Sequence, residues 1–390
     1  MKKYSQLQLV PLLTPFVFSF AFGLDIYIPI IPQMIKIFNT TPALIQLTLS
    51  LFLLFTGLGQ LLLGPLADRY GRKPLFYASS LCFAIGSFSC TLATDIIALI
   101  LARVVASIGA CGMLVTAFAL VRDLFSSDES AKMYSLLNGA VGISPTFAPI
   151  LGGYLYLYWG WQSVFYCLTG IGILAFFVSW RYLQETLPVA NQVKVDRLVF
   201  RRYWEVFCHP EFRVYALLGG LAEAVFFCFF SISPFIIIDL HGIPAHQFGY
   251  YFAAFGLVIG LGGVASGKMI EKFGIIKTLK VGIYLMFLGG ISMLSWPFSL
   301  TGFLLPMVIA CMGAMFVVGG ATAAALEPFG AIAGTASAAF GALQFSSSSI
   351  IGSCLMLFST STTTPYGICI LLIASLSALL YRLRPAARLA

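Results

Sequence analysis

Three ionisable side chains lie inside long apolar runs of this chain: Asp25, Arg103 and Glu223. A charge at the centre of a bilayer is unfavourable by about 2.5–3.5 kcal/mol on insertion scales, so each residue needs a partner or a use. Asp25 sits in Gly23-Leu24-Asp25-Ile26-Tyr27-Ile28-Pro29, well inside the first run and nearer its outer end. Two readings fit it, a structural hydrogen bond to a neighbouring helix and a proton carrier. A conformational change that alters a carboxyl's burial or its distance from a cation binds or releases a proton. Arg103, about two turns into the fourth run, is the available cation at similar depth, unless it is held in a structural ion pair or by backbone carbonyls. Glu223 falls mid-way along the seventh run, where it suits a cationic substrate, a second proton or polar packing. Tyr27, Phe226, Phe229 and Phe230 are candidates to line an aromatic cavity for flat or cationic molecules. In a chain with 36 Phe, lipid-facing positions are the competing reading.

A second cluster of chemistry is Gly64-Pro-Leu-Ala-Asp68-Arg69-Tyr-Gly71-Arg72-Lys73-Pro74, directly after the second apolar run. So many ionisable groups between two nearly uncharged stretches place this string in a turn at a membrane–water boundary. Gly71 permits the positive backbone angle of a tight turn, and Pro74 suits the first turn of the following helix.

The elements that must position these residues are membrane spans. The chain is 60% apolar, 15% aromatic and only 9% charged, whereas a soluble domain carries roughly a quarter charged residues. A span needs about 20 apolar residues. Twelve such runs are present, near 10–31, 42–64, 75–93, 96–121, 132–156, 161–183, 211–238, 246–266, 276–296, 300–323, 330–358 and 363–382. With both termini in the cytoplasm, all of the 22 Lys and Arg except Lys36, in an outer loop, and Arg103, within a span, fall on the cytoplasmic side or its edge. That asymmetry obeys the positive-inside rule, so the net charge of +8 reflects topology rather than nucleic-acid affinity. Met1-Lys2-Lys3 before an apolar run resembles a signal peptide, but no small-x-small site follows, and a retained first span is expected. The nine cysteines show no C-x-x-C spacing, and all but Cys208 fall in predicted spans, which points to inert packing and to no metal site.

The long polar interruption at Gln184–Pro210 separates six spans from six. It holds Lys194, Asp196, Arg197, Arg201, Arg202 and Glu205, and Trp204 with its apolar neighbours suggests a helix on the inner membrane surface. The organisation expected is an N-terminal six-helix bundle over 1–183, a cytoplasmic linker over 184–210 and a C-terminal six-helix bundle over 211–390. Gly267-Lys-Met-Ile-Glu271-Lys272-Phe-Gly274 repeats the loop string between spans eight and nine without its Arg-Lys pair, which supports a duplication. Gly260-Leu-Gly262-Gly263 loosely matches a nucleotide loop, but no strand precedes it, and close packing of small residues explains it better.

The loop string closely resembles the signature of the major facilitator superfamily of transporters. Arg103 within Leu101–Ala110 resembles that family's fourth-span signature, which is linked to proton transfer. Gly139-Ala-Val-Gly142, followed by Ala148-Pro149-Ile-Leu-Gly152-Gly153, resembles the antiporter motif of drug and metabolite exporters. Here small residues let helices approach, and Pro149 bends the span. Leu24–Pro29, Val121-Arg122-Asp123, Gly334–Ala338 and Gly341–Phe345 narrow the resemblance to the Bcr/CflA drug-resistance subfamily of proton-coupled exporters. Glu223 departs from that subfamily's standard acidic positions, and Trp161-Gln162 replaces a frequent Trp-Arg pair. The resemblance implies an all-α fold of twelve transmembrane helices in two pseudo-symmetric six-helix bundles that rock about a central site. It also implies that Asp68 helps to lock the outward-open state against the N-terminal end of span eleven, with Arg72 paired to Asp123 and with Gly64, Arg69 and Gly71 in the same device.

The expected function is proton-coupled efflux of small amphipathic molecules such as drugs or metabolites across a bacterial cytoplasmic membrane. The proton gradient supplies the energy, and no cofactor is expected. The partners are a small-molecule substrate, protons and the bilayer, without nucleic acid, and the family implies a monomer. The alternative is a facilitator-type importer or exporter of one metabolite, such as a siderophore or an amino-acid derivative. A membrane acyl or glycosyl transferase would need a His-Asp pair or a metal-binding loop, and His209, His241 and His246 form no such cluster. No appended signalling domain suggests a sensor.

Overall fold

A chain surrounded by hydrocarbon must satisfy its own backbone polar groups, so its apolar runs close into helices. The computed structural model describes residues 6–125, 127–187, 197–358 and 362–384. Among these, twelve helical segments are long and apolar enough to cross a membrane. The fold is the all-helical, two-unit architecture of the sequence reading, and no strand occurs among the described residues.

The first unit contains α1 (Gln6–Asp25), α2 (Ile31–Ile37), α3 (Pro42–Tyr70), α4 (Arg72–Thr91), α5 (Ile96–Leu124), α6 (Ser127–Trp159) and α7 (Gln162–Tyr182). α8 (Arg197–Cys208) follows, and the division between the units falls within it, at Val199/Phe200. The second unit contains α9 (Pro210–Pro234), most of α10 (Ala245–Phe273), α11 (Ile275–Ser295), α12 (Leu300–Leu326), α13 (Ala333–Leu355) and α14 (Thr364–Leu383). Residues Ala245–Ala253 of α10 group with the first unit. Side-chain caps close several helix starts: Thr41 accepts from Leu44 N, and Asp95 accepts from both Ile97 N and Ala98 N.

Each unit repeats one packing scheme. In the first, α1 packs on α5, α6 and α7, while α4 packs on α5 and α7. In the second, α9 packs on α12, α13 and α14, while α11 packs on α12 and α14. The correspondence of α1 with α9 and of α6 with α13 is the structural form of the duplication that the two loop strings suggest.

Three details differ from the sequence reading. The first span is broken: α1 ends at Asp25, a 3-10 turn covers Ile28–Ile30, and α2 carries Lys36, so Lys36 is helical rather than in a loop. The cause is Pro29 and Pro32, which lack the N–H groups that would have bonded the carbonyls of Asp25 and Ile28. Next, Gly64–Tyr70 are not a turn but the last two turns of α3, and the chain reverses at Gly71 alone, with φ of 96°. The antiporter-like glycines divide into two kinds. A Cβ at Gly139 or Gly142 would meet nothing within 4 Å, whereas Gly152 lies against the carbonyl oxygen of Ile26 and Gly153 against the backbone of Ala245 and His246. The helix expected around Trp204 does form: α8 buries Tyr203 and Val206 and exposes Arg201, Arg202 and Trp204, while Lys194 and Asp196 lie outside the described residues.

Candidate functional site

The break in the first span exposes a polar junction inside the first unit. Asp25 ends α1 and is 3% exposed. Its Oδ2 accepts a hydrogen bond from the hydroxyl of Ser144, at 2.7 Å, in α6. Pro145 and Pro149 follow that serine on α6, and Gly152, two turns on, lets the α6 backbone approach the carbonyl of Ile26. Gly152 therefore sets the distance between α6 and the α1 break, which is what brings Ser144 to Asp25.

Arg103 does not pair with Asp25. No basic nitrogen lies within 4.0 Å of the Asp25 carboxylate among the described residues. The Arg103 Nη1 instead donates to the carbonyl of Gly23 at 2.6 Å, and its Nε donates to the carbonyl of Thr48 at 3.4 Å. Its guanidinium lies 4.3 Å from the Phe52 ring centroid and 5.3 Å from that of Tyr27. The aromatic faces and two carbonyls thus stabilise a fully buried cation without a carboxylate. Its Nη2 has no hydrogen-bond partner. Acid and base flank the α1 break on separate partners, the carboxylate on α6 and the guanidinium on the backbones of α1 and α3. Tyr27 is buried between Arg103 and Phe165, in this same junction.

The α3–α4 turn is the second cluster. Arg72, 1% exposed, makes two ion pairs of 2.7 Å, from Nη2 to Asp68 and from Nε to Asp123. Arg122 adds longer contacts, 3.6 Å to Asp68 and 3.9 Å to Asp123, and Thr186 donates to Asp123 at 3.4 Å. Glu185, just beyond α7, accepts from the backbone N–H groups of Arg72 and Lys73, at 3.0 and 3.1 Å. Those are among the unsatisfied donors of the first turn of α4, where a carboxylate is favoured. A Cβ on Gly71 would lie 2.5 Å from Glu185 Oε2, so this residue is glycine for reasons of space as well as of φ. Arg69 stands apart from the network, with its guanidinium over the Tyr70 ring at 5.0 Å. The positions of Arg122, Glu185 and Thr186 in this cluster were missed in the sequence reading.

In the second unit, Glu223 meets a partner that the sequence reading also missed. Gln344 Nε2 donates to Glu223 Oε2 at 3.1 Å, from α13 to α9. Of the nearby aromatics, Phe229 is fully buried against Phe255 and Phe303, and Phe226 is 3% exposed. Phe230 alone of the three keeps part of its ring exposed.

The profile of the Major Facilitator Superfamily matches residues 13–353. The chain belongs to that superfamily. It is 31% identical over 348 residues to a chloramphenicol resistance protein of Pseudomonas aeruginosa, covering 87% of this chain and 81% of the relative. It is 27% identical over 352 residues to a bicyclomycin resistance protein homolog of Haemophilus influenzae, covering 88% and 87%. Among solved structures, a bacterial homolog of the human lysosomal transporter Spinster superposes with a TM-score of 0.74 at 17% identity, covering 97% of this chain and 96% of that one. That last likeness establishes the fold alone. The protein is a multi-pass membrane transporter of small molecules and not an enzyme, and its curated relatives include drug-resistance transporters of the Bcr/CflA kind.

Proposed function

We propose that this facilitator exports small amphipathic molecules, drugs or metabolites, from the cytoplasm in exchange for protons. It would do so by alternating access in a bacterial cytoplasmic membrane, as a monomer with both termini inside. Its similarity to a chloramphenicol resistance protein and a bicyclomycin resistance protein homolog supports efflux of drugs. The observation that carries the coupling is Asp25: a buried carboxylate at a helix break, hydrogen-bonded to a hydroxyl and without an ion-pair partner among the described residues. Such a group can hold a proton in one conformation and, when a rearrangement of the break brings it to water or to a cation, release it in another.

Arg103 has a defined part in this scheme. Held on the Gly23 carbonyl, two residues before Asp25, it responds to any movement of the end of α1, and its free Nη2 is the donor available to an ionised Asp25 after such movement. Tyr27, Glu223, Phe226 and Phe230 remain the proposed substrate contacts. Asp68, Arg72 and Asp123, with Gly64, Arg69 and Gly71 in the surrounding motif, form the proposed lock. The bundles 1–183 and 211–390 act as the two moving halves, joined by the linker 184–210, and the proton gradient drives the cycle without a cofactor.

Transport in everted membrane vesicles tests the reading. Energised vesicles containing the protein should accumulate chloramphenicol or a related amphipathic probe, and a protonophore should collapse the accumulation. Accumulation that survives the protonophore, or uptake of the probe by intact cells along with its loss from vesicles, would overturn it.

A further inference from the structure

Glu223 stands 13 residues along a 31-residue span, and Gln344 stands at the middle of α13, so the two meet in the middle of the second unit. The approach is built. Gly219 lies against the Phe340 ring and Gly220 against the Ser347 hydroxyl, so that the bare face of α9 admits α13 one turn before Glu223. Ser348 reinforces the seam by donating to the carbonyls of Gln344, at 2.7 Å, and Gly220, at 3.4 Å. The hydroxyl of Ser346 is buried without a partner.

The carboxylate itself is half satisfied. Gln344 donates to Oε2, no hydrogen bond to Oε1 is made among the described residues, and Glu223 remains partly exposed. Among the described residues no basic nitrogen lies within 4.0 Å of it, and the lysines of α10 and α11 (Lys268, Lys272, Lys277 and Lys280) form no ion pair with it. α12 and α13 contain no Lys, Arg or His, and α14 contains only Arg382, in its last turn. On α9 the only cation is Arg213, ten residues away, or about 15 Å along the axis. An oriented carboxylate with one open oxygen and no counter-ion is a receptor for a positive charge. Two turns along the same stripe of α9, Phe230 offers a partly exposed ring, edge-on to Phe229 and Phe255. Aromatic faces bind the apolar body of an organic cation and favour its charge.

We propose that Glu223 and Gln344 form a cation subsite that selects organic monocations with an apolar body, Glu223 Oε1 meeting the charge and Gln344 acting as the positioning residue. The inference rests on the reading of the protein as an exporter of amphipathic molecules and names one class among them. It parallels the Asp25–Ser144 pair, since α9 and α13 correspond to α1 and α6, but the second carboxylate lies mid-helix instead of at a helix break.

Equilibrium binding to the purified full-length protein tests the subsite without any gradient, so it stands or falls apart from proton coupling. The probes are tetraphenylphosphonium, whose charge is independent of pH, and neutral chloramphenicol. The cationic probe has no hydrogen-bond donor, so the contact is Coulombic, and in a partly water-excluded site it corresponds to about tenfold or more in affinity. Glu223→Gln should therefore weaken the cation by about tenfold while leaving the neutral probe within about twofold. Gln344→Ala, which keeps the carboxylate but frees its orientation, should weaken the cation by a smaller factor, and Glu223→Asp should restore part of the loss. Equal loss of both probes in the variants would assign Glu223 to packing or coupling and overturn the subsite. So would unchanged cation binding in Gln344→Ala and Glu223→Gln, or a wild-type protein that binds the neutral probe but not the cation. Vesicle transport that proves independent of protons, combined with selective loss of cation binding, would overturn the antiport reading and leave the subsite standing.

Discussion

Ser144 donates its hydroxyl to Oδ2 of Asp25 across 2.7 Å and so joins the broken end of the first span to the proline-containing fifth. The contact links two helices through one small polar side chain, between residues 119 apart in sequence. It also explains how a carboxylate can sit buried there without a cation: one charge-assisted hydrogen bond offsets part of the cost of removing it from water. A hydroxyl is a partner that a carboxylate can keep in either protonation state, because it can donate to the anion or accept from the acid.

Asp25→Asn removes the titratable proton and preserves a carbonyl oxygen that accepts from Ser144. The variant should therefore insert and fold normally, with gradient-driven accumulation in everted vesicles falling to the level of vesicles that lack the protein. Accumulation at the wild-type level would end the proposed proton role of Asp25.

Arg72 and Arg69 stand three residues apart in one motif, yet the structure gives them different weights. Arg72 is buried between two carboxylates, while Arg69 lies over an exposed ring. Arg72→Ala should destabilise the protein by about 3 kcal/mol, the low end for breaking a buried pair, because Asp68 remains 43% exposed to water. Arg69→Ala should stay within about 0.5 kcal/mol of wild type. Thermal unfolding in detergent distinguishes them, and equal effects would contradict the geometry.

What the sequence made legible is what lipid imposes. Twelve runs of apolar residues are readable because each span must be long enough to cross hydrocarbon, and the loop string is readable because charge is excluded from the spans. The less visible features are three-dimensional. Ser144 and Gln344 are hydropathically quiet residues inside spans, and only the packing of α1 on α6 and of α9 on α13 makes them carboxylate partners. Glu185 reads as an ordinary acid at the edge of a polar linker until α4 begins opposite it. The break at Asp25 did leave a local signal in Pro29 and Pro32, since two missing N–H groups three residues apart end an α-helix. That signal was masked by the continuous apolar run around it.

Glu185 should behave as a cap. Its carboxylate satisfies the N–H groups of Arg72 and Lys73, and loss of such a cap costs about 0.5–2 kcal/mol. Glu185→Ala should lower the melting temperature measurably, and Glu185→Gln, which keeps an acceptor oxygen but loses the charge, should lower it less. An alanine variant that melts with the wild type would mean that water replaces the cap without loss.

The proposed lock should be separable from substrate binding. In Asp68→Asn, Arg72 retains Asp123, so the cluster loosens without collapsing. Turnover in vesicles should fall several-fold, while the affinity of the purified protein for chloramphenicol stays within a few-fold. A large loss of affinity with unchanged turnover at saturation would place Asp68 in the substrate path instead.

The glycines of the antiporter-like motif should differ in the same way as their surroundings. Gly139 and Gly142 face open space, so an added methyl group touches nothing, and alanine also favours the helix relative to glycine. At Gly152 the same methyl group would run into the carbonyl oxygen of Ile26, the residue directly after Asp25. Overpacking of this kind costs about 1–3 kcal/mol, and because the obstacle is backbone it must be relieved by separating α6 from the α1 break. That separation draws Ser144 away from Asp25. Gly139→Ala should accordingly leave efflux per molecule unchanged, while Gly152→Ala should reduce both the melting temperature and proton-driven accumulation. Equal impairment in the two variants would show that the motif acts through something other than its approach to the break beside Asp25.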